Sequence, residues 1–272
     1  MLAFAANSIL TRLAISGGHI DPSGFALVRV LSGAVMLWLL VALRGGRLPL
    51  LRRNRIGGAL SLALYLLGFT LAYRTLDAGL GALILFGVVQ IAMFAHGALR
   101  ATVPTARQLV GAGVAFAGLV VALWPDGEQG ADPLGAALMM LAGLGWAAYT
   151  LLGRGATDPL ASTSANFILC APFVLLLPVV TGASFAPLGI LIGVVCGAVT
   201  SGLGYALWYS VLPRMAGATA AVVQLSVPII ALIAGTLLLG EGIAPATLVA
   251  TVLVVGGIGL ALTARGSPAG RR

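Results

Sequence analysis

Lysine is absent from this chain: all fifteen basic residues are arginine. Acids are scarce, seven against those fifteen, and charged residues of both signs make up only 8% of the sequence, while 60% is apolar. No soluble core of 272 residues could bury that much apolar surface, so lipid must be the solvent for most of the chain. Cysteine and histidine occur twice each, as Cys170, Cys196, His19 and His96. Two of each, dispersed, support neither a zinc nor a haem site, and the cysteines read as small buried residues rather than a disulfide. No phosphate-binding loop is present; Gly202-x-Gly204 is too short a match and lies inside an apolar run, so ATP hydrolysis is not expected. No cofactor or metal is expected. Aromatic residues are sparse at 7%, and their placement matters for that reason.

What remains is a series of long apolar runs. A helix needs roughly 20 apolar residues to cross about 30 Å of hydrocarbon. The spans predicted are 2–16, 22–43, 56–73, 79–99, 108–124, 134–152, 162–181, 187–209, 216–239 and 245–263. Continuous rather than alternating runs argue against a β-barrel. The first run is short: either it begins at the interface or the start codon lies upstream of Met1. No cleavable signal peptide is expected, because no basic stretch precedes Leu2. The 38 glycines suit close helix packing in lipid, and Gly193, Gly197 and Ser201 form a small-residue stripe. Pro172, Pro178 and Pro228 fall within spans and predict kinks.

The arginines orient the chain. With the N-terminus inside, Arg44, Arg47, Arg52, Arg53, Arg55, Arg100, Arg107, Arg154, Arg214, Arg265, Arg271 and Arg272 all fall on the cytoplasmic side. Asp21, Asp77, Asp126, Glu128, Asp132 and Glu241 fall outside, and only Asp158 falls inside. The positive-inside rule therefore predicts cytoplasmic N- and C-termini. The net charge of +8 reflects arginines beside an anionic leaflet, so nucleic acid is not an expected partner.

Ten spans divide into two fives, and an odd count makes a repeated half enter the membrane from the opposite side. Asp21-Pro22 opens span two and Asp158-Pro159 precedes span seven, each suited to a helix N-cap and first turn. A constant offset of 140 sets Tyr65 against Tyr205, Arg74 against Arg214 and Ala78 against Ala218. The expected fold is an all-α integral membrane protein of ten transmembrane helices as two inverted five-helix repeats. They would occupy 1–124 and 134–264, with an external loop at 125–133 and a cytoplasmic tail at 265–272. The segments AANSILTRLAI, IDPSGFALVRVLSGAVML, YLLGFTLAYRTLDAGLGALILFGVVQ and SGLGYALWYSVLPRMAGATAAVVQLSVPIIALIAGTLLLGE resemble the ten-helix, EamA-type branch of the drug/metabolite transporter superfamily. That resemblance implies export or exchange of small metabolites across a bacterial inner membrane by alternating access. It carries no catalytic motif.

Polar residues inside the spans are the candidates for a substrate path. Arg29 lies about eight residues into span two, roughly 12 Å deep at 1.5 Å per residue. It could receive a carboxylate or other anion, or serve structure alone. Arg12 and Arg74, nearer the outer surface, are expected to snorkel or to pair with acids such as Asp77. Asn7, Gln90, Asn166 and Gln224 need partners within hydrocarbon, from another helix or a wet cavity. Trp146 and Tyr149 share one helix face, as do Tyr205, Trp208 and Tyr209. These aromatics would line a cavity suited to an amino acid, or form an interfacial belt. No acid sits within a span, which argues against a proton-coupled exporter of lipophilic cations. Glu241 is expected to anchor a helix end. The function expected is secondary transport of small metabolites such as amino acids. A membrane-embedded enzyme or a non-transporting membrane subunit are the alternatives. The expected partners are a small-molecule substrate, membrane lipid and a second copy of the chain.

Overall fold

The computed structural model describes residues 1–50, 54–100, 105–124, 131–154, 156–214 and 223–262. Arg52, Arg53, Asp126, Glu128, Ala218, the start of the ninth span, most of the 125–133 loop and the 265–272 tail lie outside the described residues. The described part is helical: α1 (Leu2–Ser16), α2 (Pro22–Leu43), α3 (Asn54–Ala72), α4 (Ala78–Arg100), α5 (Ala106–Leu123), α6 (Pro133–Gly153), α7 (Pro159–Thr181), α8 (Pro187–Val211), α9 (Ser226–Leu239) and α10 (Pro245–Leu262). Eight of these are long and apolar enough to span a bilayer, whereas α1 has 15 residues and α9 has 14 among the described residues. This is an all-α membrane protein, with no strand among the described residues.

Acid side chains set where several helices begin. Asp21 caps α2 by accepting from the Ser23 and Gly24 amides at 2.9 and 3.0 Å. Asp132 caps α6 through Gly135 N at 2.7 Å, and Asp158 caps α7 through Ala161 N at 3.0 Å. In each case a proline follows, where a missing amide costs nothing. The α7 helix thus starts at Pro159, three residues before the predicted 162, because hydropathy registers apolar side chains and a cap registers free amides. A capping box of Thr105 and Gln108 starts α5, two residues ahead of the predicted 108.

Helix α8 contains a π-helical stretch, Val195–Leu203. Sequence periodicity did not indicate it. A π turn inserts one residue into the ladder and turns the following side chains by about 100° relative to an α-helix, which is common near functional sites.

Helix α2 packs on α7 and α8, α3 on α6 and α7, α4 on α6 and α9, and α1 on α8 and α9; α5 packs on α10. Two crossings depend on glycine. A Cβ at Gly197 would overlap Ser32 Oγ and the Arg29 carbonyl, so α8 meets α2 backbone to backbone. Gly111 and Gly257 do the same reciprocally between α5 and α10. The main core joins residues of α1–α4 and α6–α9, including Leu37, Leu66, Phe69, Tyr73, Phe167 and Tyr205. Large apolar side chains such as Leu31, Val35, Phe116 and Leu248 remain outward, as a lipid-facing surface requires.

Candidate substrate cavity

The helix starts and π turn described above direct polar groups to the centre of the bundle. Asn7 of α1 is buried, and its Oδ1 accepts from Thr200 Oγ1 at 2.6 Å, Ser201 Oγ at 3.2 Å and Cys196 Sγ at 3.4 Å. All three donors lie in the π stretch of α8. Ser201 Oγ in turn accepts from Arg29 Nε at 3.1 Å, and Arg29 Nη2 donates to the Tyr65 hydroxyl at 3.2 Å. One connected chain therefore runs from α3 through α2 and α8 to α1.

Arg29 is fully buried. Its guanidinium carbon lies 5.0 Å from the Phe69 ring centroid and 5.7 Å from that of Tyr65, within cation–π range. Among the described residues, both ion pairs belong to Arg12, and Arg29 Nη1 has no hydrogen-bond partner. The Tyr205 hydroxyl is likewise buried without one. Taking a cation out of water costs several kcal/mol, which rings and hydroxyls offset only in part.

Beside this chain lies a narrow cavity lined by Phe4, Asn7, Ser8, Tyr65, Phe69, Leu85, Phe86, Trp146 and Tyr205. Its walls are aromatic rings in mutual contact: Tyr65 to Trp146 at 5.0 Å, Trp146 to Tyr205 at 5.1 Å and Phe4 to Tyr205 at 5.6 Å between centroids. The enclosed space is small, about 10 Å³, with aromatic walls and the polar chain along one side.

The expected site residues distribute among three places. Asn7, Trp146 and Tyr205 line the central cavity, and Arg29 binds its wall through Tyr65. Trp208 packs on the same Phe4, with ring centroids 5.9 Å apart. Tyr149 and Asn166 line a second, more polar pocket with Arg55, Ser162, Thr163 and Tyr209. There Arg55 Nη2 donates to Ser162 Oγ at 2.8 Å, and Asn166 Oδ1 is buried without a hydrogen-bond partner. Gln90 lies apart, in a groove between α4, α5 and α10 that Arg154 also borders. Gln224 is buried just ahead of α9, next to Leu225 of the apolar cluster between α4, α5 and α10. Phe4, Ser8, Phe69, Phe86, Thr200 and Arg55 were not expected as site residues. Single aromatics or hydroxyls on apolar helices look alike whether they face lipid or a cavity. Tyr65 did carry a signal, its offset of 140 from Tyr205.

One end of the bundle is fastened by polar contacts between its helices and loops. Arg12 donates from Nη2 to Asp77 at 3.0 Å, from Nε to Glu241 at 3.2 Å and from Nη1 to the Tyr73 carbonyl at 3.2 Å. Both Glu241 oxygens accept from Ala78 N, at 3.0 and 2.9 Å, so this acid caps α4 from across the bundle. Burial raises the Glu241 carboxyl above its ordinary value, and the neighbouring Asp77 charge adds to it; Ala78 N–H and Arg12 oppose. Asp21 accepts from Ser184 N, and Ile20 bridges Phe185, tying the loop before α2 to the loop before α8. Burial alone would raise Asp21, but bonds from Ser23, Gly24 and Ser184 outweigh it and hold the group below its usual range. Thr75 donates to Asp132 at 3.0 Å. Arg12 does pair with Asp77, as expected, and Glu241 does anchor a helix end. Arg74 is exposed.

Comparison with known proteins adds three findings. The EamA-like transporter family matches over residues 133–263. An uncharacterised protein of Pseudomonas aeruginosa is 45% identical over 269 residues, covering 97% of this chain and 92% of that one. A crystal structure superposes with a TM-score of 0.67 at 18% identity, covering 96% of each chain, which is a likeness of fold.

Proposed function

This chain belongs to the EamA-like transporter family of the drug/metabolite transporter superfamily, and from that premise we propose that it exports or exchanges small metabolites such as amino acids by alternating access. The observation that carries the reading is the central cavity: both halves build it, and polar clasps fasten one end of the bundle. A closed site fastened at one end is one state of a protein whose substrate meets each side in turn.

The proposed halves are 1–124 and 134–264, inverted in the membrane. Exchanging the numbers one to five with six to ten turns the contact of α3 with α6 into that of α8 with α1. It likewise turns α4 with α6 into α9 with α1, and α2 with α8 into α7 with α3; all are observed contacts. The contacts of α2 with α7, α4 with α9 and α5 with α10 map onto themselves. This pattern supports a two-fold relation between the halves. The arginine distribution supports a bacterial inner membrane with both termini and the 265–272 tail cytoplasmic, and so favours a clasped end that faces outside. On that reading the structure is closed to the outside.

Purified protein reconstituted into liposomes tests the proposal. Counterflow of a labelled amino acid or related metabolite driven by the unlabelled compound is the expected result. Product formation without flux, or no flux across a broad metabolite panel, would overturn it.

A further inference from the structure

We propose that the transported substrate carries a carboxylate, and that Arg29 Nη1 and the Tyr205 hydroxyl receive it. The inference rests on the transport reading and names its substrate class.

Arg29 is the starting point. Its Nε and Nη2 are engaged by Ser201 and Tyr65, while Nη1 on the same fork has no hydrogen-bond partner among the described residues. The Tyr205 hydroxyl, one helical turn beyond Ser201 on α8, is also buried, beside the Tyr65 hydroxyl, and makes no close hydrogen bond. Arg29 bonds Tyr65, whose ring lines the same cavity as Tyr205, so the two groups belong to one locality. Buried donors left without partners are rare in folded proteins and point to a ligand when they border a cavity. Here Tyr205 and two of the rings under Arg29, Tyr65 and Phe69, line that cavity.

Charge narrows the ligand. All seven acids fall outside the helices given above, so no carboxylate of a span is available to neutralise Arg29. A monoanion supplies the missing charge. A guanidinium N–H and a phenolic O–H are two donors, which match the two oxygens of one carboxylate. A phosphate dianion would bring a second negative charge with no second buried cation in the chain of contacts. A cationic substrate would meet Arg29 with no acid to offset repulsion. Phe4, Phe69 and Trp146 line the adjoining space, which is closed down to about 10 Å³ in this state and widens to admit the apolar remainder.

A thermal-shift titration of the detergent-purified protein with matched charge series tests this. The probes are isovalerate and phenylacetate, their neutral amides, and the corresponding amines. Carboxylates should stabilise the protein and the amides and amines should not. Arg29→Gln should erase the preference. Tyr205→Phe should weaken carboxylate binding about tenfold, as for loss of one charge-assisted hydrogen bond. Equal or tighter binding of amines or amides, no binding of either carboxylate, or an unchanged preference in Arg29→Gln would each overturn the proposal. The wild-type series and Tyr205→Phe remain readable should Arg29→Gln fail to fold. Counterflow of the same probes separates the two claims. Binding of carboxylates without any flux leaves the anion site standing and counts against transport; flux of amines in preference to carboxylates does the reverse.

Discussion

The described acids of this chain, few as they are, each perform a defined task at the ends of helices. Asp21, Asp132 and Asp158 cap the helices that follow them, and Glu241 caps α4 from a distant part of the chain. Glu241 also holds Arg12, so one carboxylate serves a backbone amide and a guanidinium together. Glu241→Gln should keep an acceptor for Ala78 N and lose the charge, whereas Glu241→Ala loses both. The alanine variant is expected to lose about 1–3 kcal/mol and the glutamine variant less, read as the ordering of melting temperatures. The raised Glu241 carboxyl has a pH consequence. Folding there favours the protonated form, so its contribution to stability is full below the ordinary glutamate range and fades as pH rises through the raised value. Asp21, held below its usual range, has the opposite sign: its contribution is present at neutral pH and fades on acidification through its lowered value. Melting temperature followed against pH should therefore change in opposite directions in Glu241→Gln and Asp21→Asn relative to wild type. Identical pH profiles for the two variants would contradict these assignments. The sequence showed Asp21 and Asp158 as caps and Asp77 as a partner for Arg12; it could not show Glu241 as a second one, because Arg12 and Glu241 are 229 residues apart.

Helices were legible because lipid demands long apolar runs, and their first turns because aspartate followed by proline has one favourable use. The π stretch of α8 was not legible. No residue type requires it, and it is retained where tertiary contacts reward the altered register, here the convergence of Cys196, Thr200 and Ser201 on Asn7. Ser201 was read as part of a packing stripe, which it is, but the same position also supports Arg29. Two glycines on α5 offer a test of close packing within one element. A Cβ at Gly111 meets the Gly257 carbonyl at 2.5 Å and Ala261 N at 2.6 Å, while one at Gly113 meets nothing within 4 Å. Gly111→Ala should destabilise by about 1–3 kcal/mol through overpacking. Gly113→Ala should be neutral or slightly stabilising, since alanine favours helix by up to about 1 kcal/mol. Thermal unfolding in detergent distinguishes them, and equal effects would show that α5 and α10 do not cross at Gly111.

At the scale of the molecule, the odd-numbered loops gather at one end and are joined there by side chains. Ile20 and Phe185 form a backbone bridge between the loop before α2 and the loop before α8. Cysteines placed at both positions, as Ile20→Cys with Phe185→Cys, lie at the spacing of bridged residues and should form a disulfide on mild oxidation. The two natural cysteines are buried and do not compete. Oxidation should abolish counterflow and reduction restore it; undiminished flux in the oxidised protein would show that this end need not open. The candidate cavity was only partly legible for a related reason. Its walls come from α1, α3, α4, α6 and α8, and a sequence presents them as five separate apolar runs. Polarity singled out Asn7 and Arg29, and clustering singled out Trp146 and Tyr205. Phe4 and Phe69 had neither mark.

The crossing of α5 with α10 has one more consequence. Gly111 and Gly257 leave main chain resting on main chain, like a plain bearing with no teeth. Side chains that interlock must be lifted out of register before two helices can scissor; bare backbone has nothing to lift. A small change of crossing angle at Gly111 and Gly257 themselves displaces no side chain of either residue. The closest approach of this pair is therefore built from the residues with the least chemistry.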